Sequence, residues 1–197
     1  MKKDLVDKAA ELVEKKGAES VSMRDLAKKV GASTMAAYRH YKSKDELLLE
    51  VAARGFDRLT QLGNQAADHE KTAQKKLEAV LYAYYQFGQN HHNLFELMFG
   101  PLKKKESLSS HFQNSARASY AQFSKYVHEF IGVNKLKNQK FENQYSSAFW
   151  AYIHGMTVLA SNGYLSAIES SPKEMEKKIK TQIANFVAFY QVSLAKN

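Results

Sequence analysis

Apolar positions recur at spacings of three and four along most of this chain, and the breaks between runs fall at glycine, proline or short polar residues. Leu5, Ala9, Leu12 and Val13 share one helical face that stops at Gly17, which predicts a first helix over about 2–16. Met23, Leu26, Ala27 and Val30 form the next stripe, with Ser22 and Asp25 placed as a capping box. Gly31 follows, suited to a left-handed C′ position, and Ser33 can cap a third helix over about 34–41. Ser43-Lys44-Asp45-Glu46 is a second capping box, starting a fourth helix that carries Leu47, Leu48, Val51, Ala52, Phe56 and Leu59. Later helices are predicted over about 72–89, about 93–99, through Phe112, Tyr120, Phe123 and Val127 to Gly132, over about 141–166, and over about 172–195. The last begins with Pro172 at its first position. Residues 103–106 and 134–139 read as polar connections. The fold class is all-α.

The third predicted helix carries the chemistry. At 100° per residue, Ala37 and Tyr41 share the side that packs inward. Met35 and Arg39 lie opposite, flanked by Thr34, Ala36, Tyr38 and His40, and no carboxylate interrupts that surface. Arginine can bond guanine O6 and N7, methionine and alanine can touch a thymine methyl, and tyrosine, threonine and lysine can reach phosphate oxygens. Two short helices joined by a glycine-containing turn, the second bearing such a face, make a helix-turn-helix. Arg24, Ser33, Thr34, Met35, Ala36, Tyr38, Arg39, His40 and Lys44 are therefore the candidate DNA-contacting residues. Lys44 opposes the dipole at the start of its helix, an arrangement that suits a phosphate bound there.

Charge sharpens the picture because it is local. The chain is +9 overall, yet residues 1–21 balance five lysines against five acids. Residues 22–44 hold six Lys or Arg and one Asp, whereas residues 45–60 hold two Arg against four acids. A basic patch confined to the candidate reading unit matches phosphate contact with counterion release. A charged helix pair also serves as an ordinary solvated face.

Residues 5–51 resemble the N-terminal domain of the TetR family of bacterial transcriptional repressors. The likeness rests on Gly17, Ser22, Ala27 to Gly31, Tyr38-Arg39-His40-Tyr41 and Lys44-Asp45-Glu46-Leu47-Leu48, in order and spacing. Tyr41 stands where the family usually has phenylalanine, and Ala37 where a larger aliphatic residue is common. The resemblance implies a helix-turn-helix DNA-binding domain over 1–50 and a helical effector-binding and dimerisation domain over 51–197. Its partners would be double-stranded operator DNA, a second copy of the chain and an unknown small-molecule effector, with no cofactor.

The second part differs in composition. Of 23 aromatic residues only Tyr38, Tyr41 and Phe56 precede residue 61. Phe149-Trp150-Ala151-Tyr152-Ile153-His154-Gly155-Met156 is similar to the Trp-x-x-x-His-Gly signature of one branch of TetR-type C-terminal domains, and residues 94–101 to that branch's other recurring segment. The resemblance implies an apolar ligand cavity whose occupation separates the two DNA-reading heads, with Phe95, Met98, Phe99, Tyr120, Phe123, Trp150 and His154 as candidate lining residues. Aromatics at helical spacing also serve as plain core, and His154 as a satisfied buried histidine. Ala148, Ala151 and Gly155 make a small-residue face, and a mid-helix glycine costs about 1 kcal/mol against alanine unless something packs closely there. With Ile179, Ile183, Phe186 and Tyr190 on the last helix, that face predicts a homodimer through the last two helices as a four-helix bundle.

Other classes find less support. There is no cysteine, so thiolate chemistry and cysteine-based zinc sites are excluded. No apolar run approaches the roughly 20 residues of a membrane span, and charged residues interrupt the N-terminus, so a cytoplasmic bacterial protein is expected. His92 and Glu96 offer two metal ligands without a third, and no nucleophile elbow, phosphate loop or paired Glu-x-x-His motif occurs, so neither catalysis nor a metal site is expected. The alternative is a helical interaction or small-molecule-binding protein that has lost DNA reading.

Overall fold

A computed structural model of the chain describes residues 1–100, 109–132, 139–165 and 171–195. Among these, caps and glycines punctuate a helical chain as α1 (Lys2–Lys16), a 3-10 turn (Ala18–Ser20), α2 (Met23–Lys29), α3 (Thr34–His40), α4 (Lys44–Asp68), α5 (Ala73–Asn90), α6 (His92–Phe99), α7 (Ser110–Ile131), α8 (Gln139–Ser161) and α9 (Pro172–Ala195). The all-α expectation holds. The cap residues do the chemistry their positions predict. Ser22 Oγ accepts from the Asp25 N–H at 3.4 Å, Ser33 Oγ from Ala36 at 3.1 Å and Ser43 Oγ from Glu46 at 3.1 Å.

Left-handed glycines end two helices in the same way. Gly31 sits at φ 69°, its N–H bonds the Lys28 carbonyl at 3.2 Å, and the Ala32 N–H reaches back to Ala27 at 2.9 Å. That is a Schellman closure, in which orphan carbonyls are satisfied at no Cβ cost. α8 closes identically at Gly163 (φ 77°), with Gly163 bonded to Ala160 and Tyr164 to Leu159, each at 3.0 Å. It therefore stops at Ser161, short of the predicted 166. The predicted connections at 103–106 and 134–138 and the helix end at 166 lie outside the described residues, while Gln139, expected in a loop, is the first residue of α8.

The chain divides into two compact units, one of residues 1–58 with 91–119 and the other of residues 59–90 with 120–197. The divisions fall inside α4, between α5 and α6, and inside α7, whereas the predicted functional division at 50/51 lies further back in α4.

In the N-terminal unit, Leu5, Val13, Leu26, Ala37 and Leu47 are fully buried and hold α1 to α4 together. Each of these leucines and the valine contributes about 1.5–3 kcal/mol relative to exposure. α6 packs on α1 and also lies close to α4, where a Cβ on Gly55 would come within 2.5 Å of Met98 Sδ. The Phe56 ring meets Phe99 and Phe112 edge-on at 5.3 and 5.7 Å. Polar ties fix α1 in this frame: Arg54 pairs with Asp7, Arg58 lies 3.6 Å from Glu14, and His91 Nδ1 lies 2.9 Å from Glu14. Asn93 Nδ2 donates to the Glu14 main-chain carbonyl at 3.0 Å.

In the other unit α5 packs against α8 and α9 around Leu77, Leu81, Phe87, Phe149, Ile153 and Val187. Phe149 touches Phe186 and Tyr190 at ring distances of 5.2 and 4.9 Å, and Tyr152 stacks on Phe186 at 3.8 Å.

Candidate functional site

The inner arc of α3 anchors it. Ala37 and Tyr41 are buried as predicted, and burial with the nearby Glu50 charge pushes the Tyr41 phenol up to about 12, so it stays protonated. The Lys2 ammonium lies 5.5 Å above the Tyr41 ring. Ala36, expected on the outer side, is only 7 % exposed. The packed arc of this two-turn helix runs from Ala36 through the half-buried His40 to Tyr41, so Ala36 cannot present its methyl as an outward residue does.

The outer arc is open. Met35 is 77 % exposed, Tyr38 47 %, and Arg39 and Arg24 are exposed beside a half-buried Thr34. Ser33 Oγ caps α3 and keeps its O–H available to donate. From residue 26 to residue 44 the chain carries five Lys or Arg and no carboxylate, so the sequence on both sides of α3 is basic. Lys44 has a role that sequence reasoning missed. Its Nζ donates to the Glu19 carbonyl at 3.2 Å and lies 3.8 Å from the Glu19 carboxylate. The lysine thus ties the 3-10 turn to the start of α4, a structural reason for a cation at a helix N-terminus.

The candidate ligand residues separate. Phe95, Met98 and Phe99 belong to the N-terminal unit, where Phe95 and Met98 are buried and Phe99 packs on Phe56 and Phe95. They pack into the core of that unit. Tyr120, Phe123, Trp150 and His154 lie in the other unit. There Trp150 Nε1–H donates to Tyr84 Oη at 3.2 Å, and Tyr84 Oη lies 2.8 Å from His154 Nδ1. The Trp150 ring stands 5.6 Å from Tyr120 and 6.0 Å from His154, and Tyr120 Oη lies 3.4 Å from Ser147 Oγ. Burial lowers the His154 pKa and raises that of Tyr84, so both are neutral near neutral pH. Tyr84 Oη thus accepts from Trp150 and shares a second hydrogen bond with His154 Nδ1, whose direction follows the imidazole tautomer. Tyr84 was invisible to sequence reasoning because its partners lie 66 and 70 residues away. No fixed charge belongs to this aromatic cluster.

The candidate dimer residues also sort by exposure. Ala151 is exposed, Ala148 half-buried, and no described atom of the chain lies within 4 Å of a Cβ built on Gly155. Ile179 and Ile183 are fully buried within the chain against the α5 side, so a partner cannot reach them, and their assignment is corrected. Phe186 and Tyr190 are half-buried in the aromatic cluster around Phe149. Among the described residues of this unit, Leu159 on α8 and Phe189 (69 %) and Val192 (57 %) on α9 are apolar side chains left in water, as are Tyr164 and, at 37 %, Trp150. Their signal was present in the sequence: residues 143–165 and 181–192 contain no Asp, Glu, Lys or Arg.

His92 Nε2 lies 3.5 Å from Glu96, and among the described residues no group of three potential ligands could hold a metal ion. Nor is any described helix long and apolar enough to cross a membrane.

Comparison with known proteins bears on the N-terminal unit first. Residues 5–51 match the family model described as bacterial regulatory proteins, tetR family. Over 88 % of its length the chain is 26 % identical to an uncharacterized HTH-type transcriptional regulator of Haemophilus influenzae, covering 80 % of that protein. Among solved structures, a protein of unknown function from Rhodococcus sp. RHA1 superposes with a TM-score of 0.76 at 25 % identity, covering 93 % of both chains. A transcriptional regulator of the TetR/AcrR family from Thermobifida fusca superposes with a TM-score of 0.66 at 17 % identity, covering 93 % of this chain and 96 % of that one. Residues 5–51 are thus similar to the N-terminal domain of tetR-family regulatory proteins, on a helical fold shared with a TetR/AcrR-family protein.

Proposed function

We propose that this chain is a DNA-binding transcriptional regulator of the TetR family, a ligand-responsive repressor that works as a homodimer in the bacterial cytoplasm. Residues 1–50 are its reading head and residues 51–197 its effector-binding and dimerisation part, of the Trp-x-x-x-His-Gly branch. One observation carries the reading: an exposed α3 face of Met35, Tyr38 and Arg39 set in a stretch of five cations without an acid, inside a tetR-family domain.

In the complex α3 lies in the major groove, where Arg39 bonds a guanine edge. Ser33, Thr34, Tyr38 and Lys44 reach phosphate oxygens, and Arg24 on α2 adds a charge at the backbone. His40 and Ala36 border the contact. The uncharged α8–α9 face, with Ala151, Gly155, Leu159, Phe189 and Val192, meets its two-fold copy, and Phe186 and Tyr190 back it from inside. Gly155 supports this because nothing among the described residues uses the close approach that a glycine permits. A two-fold then presents two heads to successive major grooves about 34 Å apart.

The effector binds beside Trp150, His154, Tyr84 and Tyr120, where aromatic faces and neutral hydrogen-bonding groups suit an uncharged aromatic or polar-apolar molecule. It favours a state whose heads are spread, and by linkage DNA must weaken effector binding by the same factor. His91 and Asn93, which clamp α6 onto the end of α1, give such a change a handle on the head.

Fluorescence anisotropy of the protein against DNA from upstream of its own gene and a shuffled control, across a salt series, tests the reading. A preference of about 10³-fold or more with a steep salt slope is expected. Equal weak binding to both duplexes contradicts it. Trp150 is the only tryptophan, so its emission reports effector binding in the same samples.

A further inference from the structure

The exposed face of α3 carries more information than its charge. Among the described residues of the N-terminal unit, the large apolar side chains left exposed are Met1, Met35 and Tyr38, and two of the three stand on this one short helix. At 100° per residue, Met35, Tyr38 and Arg39 span an arc of about 100°, directly opposite Ala37 and Tyr41. Met35 lies at the centre of that arc and is 77 % exposed, so a large apolar surface has no partner within the chain.

The base edges on the floor of a major groove present one apolar group, the C5 methyl of thymine; the rest are donors and acceptors. An unbranched thioether with three rotatable bonds adapts its shape to such a methyl. Arg39 lies one helical turn further on the same arc, and its guanidinium matches guanine O6 and N7. The rise of about 1.5 Å per residue separates positions 35 and 39 by about 6 Å along α3. Stacked base pairs are about 3.4 Å apart, so the two side chains address base pairs no more than about two steps apart.

From this arrangement, and resting on the DNA-reading function proposed above, we infer that each operator half-site carries a thymine whose methyl seats against Met35 and a guanine read by Arg39 within about two base pairs of it. Tyr38, at the edge of the arc across Met35 from Arg39, keeps its hydroxyl for the phosphate backbone.

The test begins with selection of tight-binding duplexes from a fully randomised library by the full-length protein. Uracil then replaces thymine, and 7-deazaguanine replaces guanine, one position at a time in the selected duplex. Loss of a single such methyl should weaken binding about fourfold. The guanine whose N7 matters should fall within about two base pairs of that thymine. Met35→Ala should abolish the difference between thymine and uracil, and Met35→Leu should keep it. Arg39→Ala should abolish sensitivity to 7-deazaguanine and leave the methyl effect in place. Position 35 is exposed, so these variants fold as the parent does. A selected duplex bound equally with thymine or uracil at every position overturns the inference while leaving DNA reading intact. So does a methyl effect that survives Met35→Ala. A selection that enriches no sequence overturns the function itself.

Discussion

Two regions of the surface leave large apolar side chains in water, and their surroundings differ in kind. On α3, Met35 and Tyr38 stand beside Arg39 in a stretch of five cations and no acid. On α8 and α9, Leu159, Phe189 and Val192 stand in stretches with no charged residue at all. An apolar group amid cations suits a polyanion that carries methyl groups, which is what a major groove is. An apolar face without charge suits its own like, because a two-fold brings each residue against the same patch and any charge would meet its copy. On the function proposed above, the same exposure serves nucleic acid in one place and a second copy of the chain in the other.

The largest effect should come from placing charge on the uncharged face. Phe189→Asp with Val192→Asp should raise the dimer dissociation constant by about 100-fold or more, with the helical signal unchanged because both positions are exposed. An unaltered dimer in sedimentation equilibrium would move the interface elsewhere. Next comes Arg39→Ala, which should weaken a specific duplex by about 10- to 100-fold while dimerisation persists. If binding holds, α3 does not read the groove in this way.

Gly155→Ala separates the roles of chain and partner. No described atom lies within 4 Å of that Cβ, so alanine should stabilise the isolated helix by about 1 kcal/mol while it weakens the dimer. Stabilisation of both would show that no partner approaches there. A smaller change is expected of Lys44→Ala, which should lower the salt slope of DNA binding by about one and weaken all sequences alike. An unchanged slope would confine Lys44 to its tie with the Glu19 carbonyl.

The smallest effect concerns pH. Burial lowers the His154 pKa, so the unfolded chain takes up that proton first as pH falls below about 6.5. Stability should fall with pH from about 6.5 down to the lowered folded value, and His154→Gln should flatten that part of the melting-temperature profile. An identical profile in the variant would place the pH dependence in other groups.

The local elements of the fold were legible because their causes are local. Ser22, Ser33 and Ser43 cap helices with their own hydroxyls, and Gly31 turns the chain by its own φ. The end of α8 was legible too, in Asn162-Gly163, but the apolar run continuing to Leu165 masked it. The outer face of α3 follows from 100° steps, yet Ala36 did not, since burial of a residue on the border of the arc depends on how wide the packed side is. What periodicity cannot reveal is which stripe meets which. Phe95 and Trp150 each sit on a clean helical stripe, and only tertiary packing assigns them to different units. Ile183 and Phe189 are both apolar residues of α9, and only the placement of α5 makes the first core and the second surface. The bond from Tyr84 to His154 joins helices far apart in sequence and leaves no local trace.

The account turns on one face for DNA and one for a second copy, and sedimentation of the protein with a selected duplex measures both at once. A complex of two chains per duplex, lost in Arg39→Ala through failure to bind DNA and in the Phe189→Asp, Val192→Asp variant through failure to pair, is the expected result. A complex of one chain per duplex, or one that survives both sets of substitutions, would contradict it.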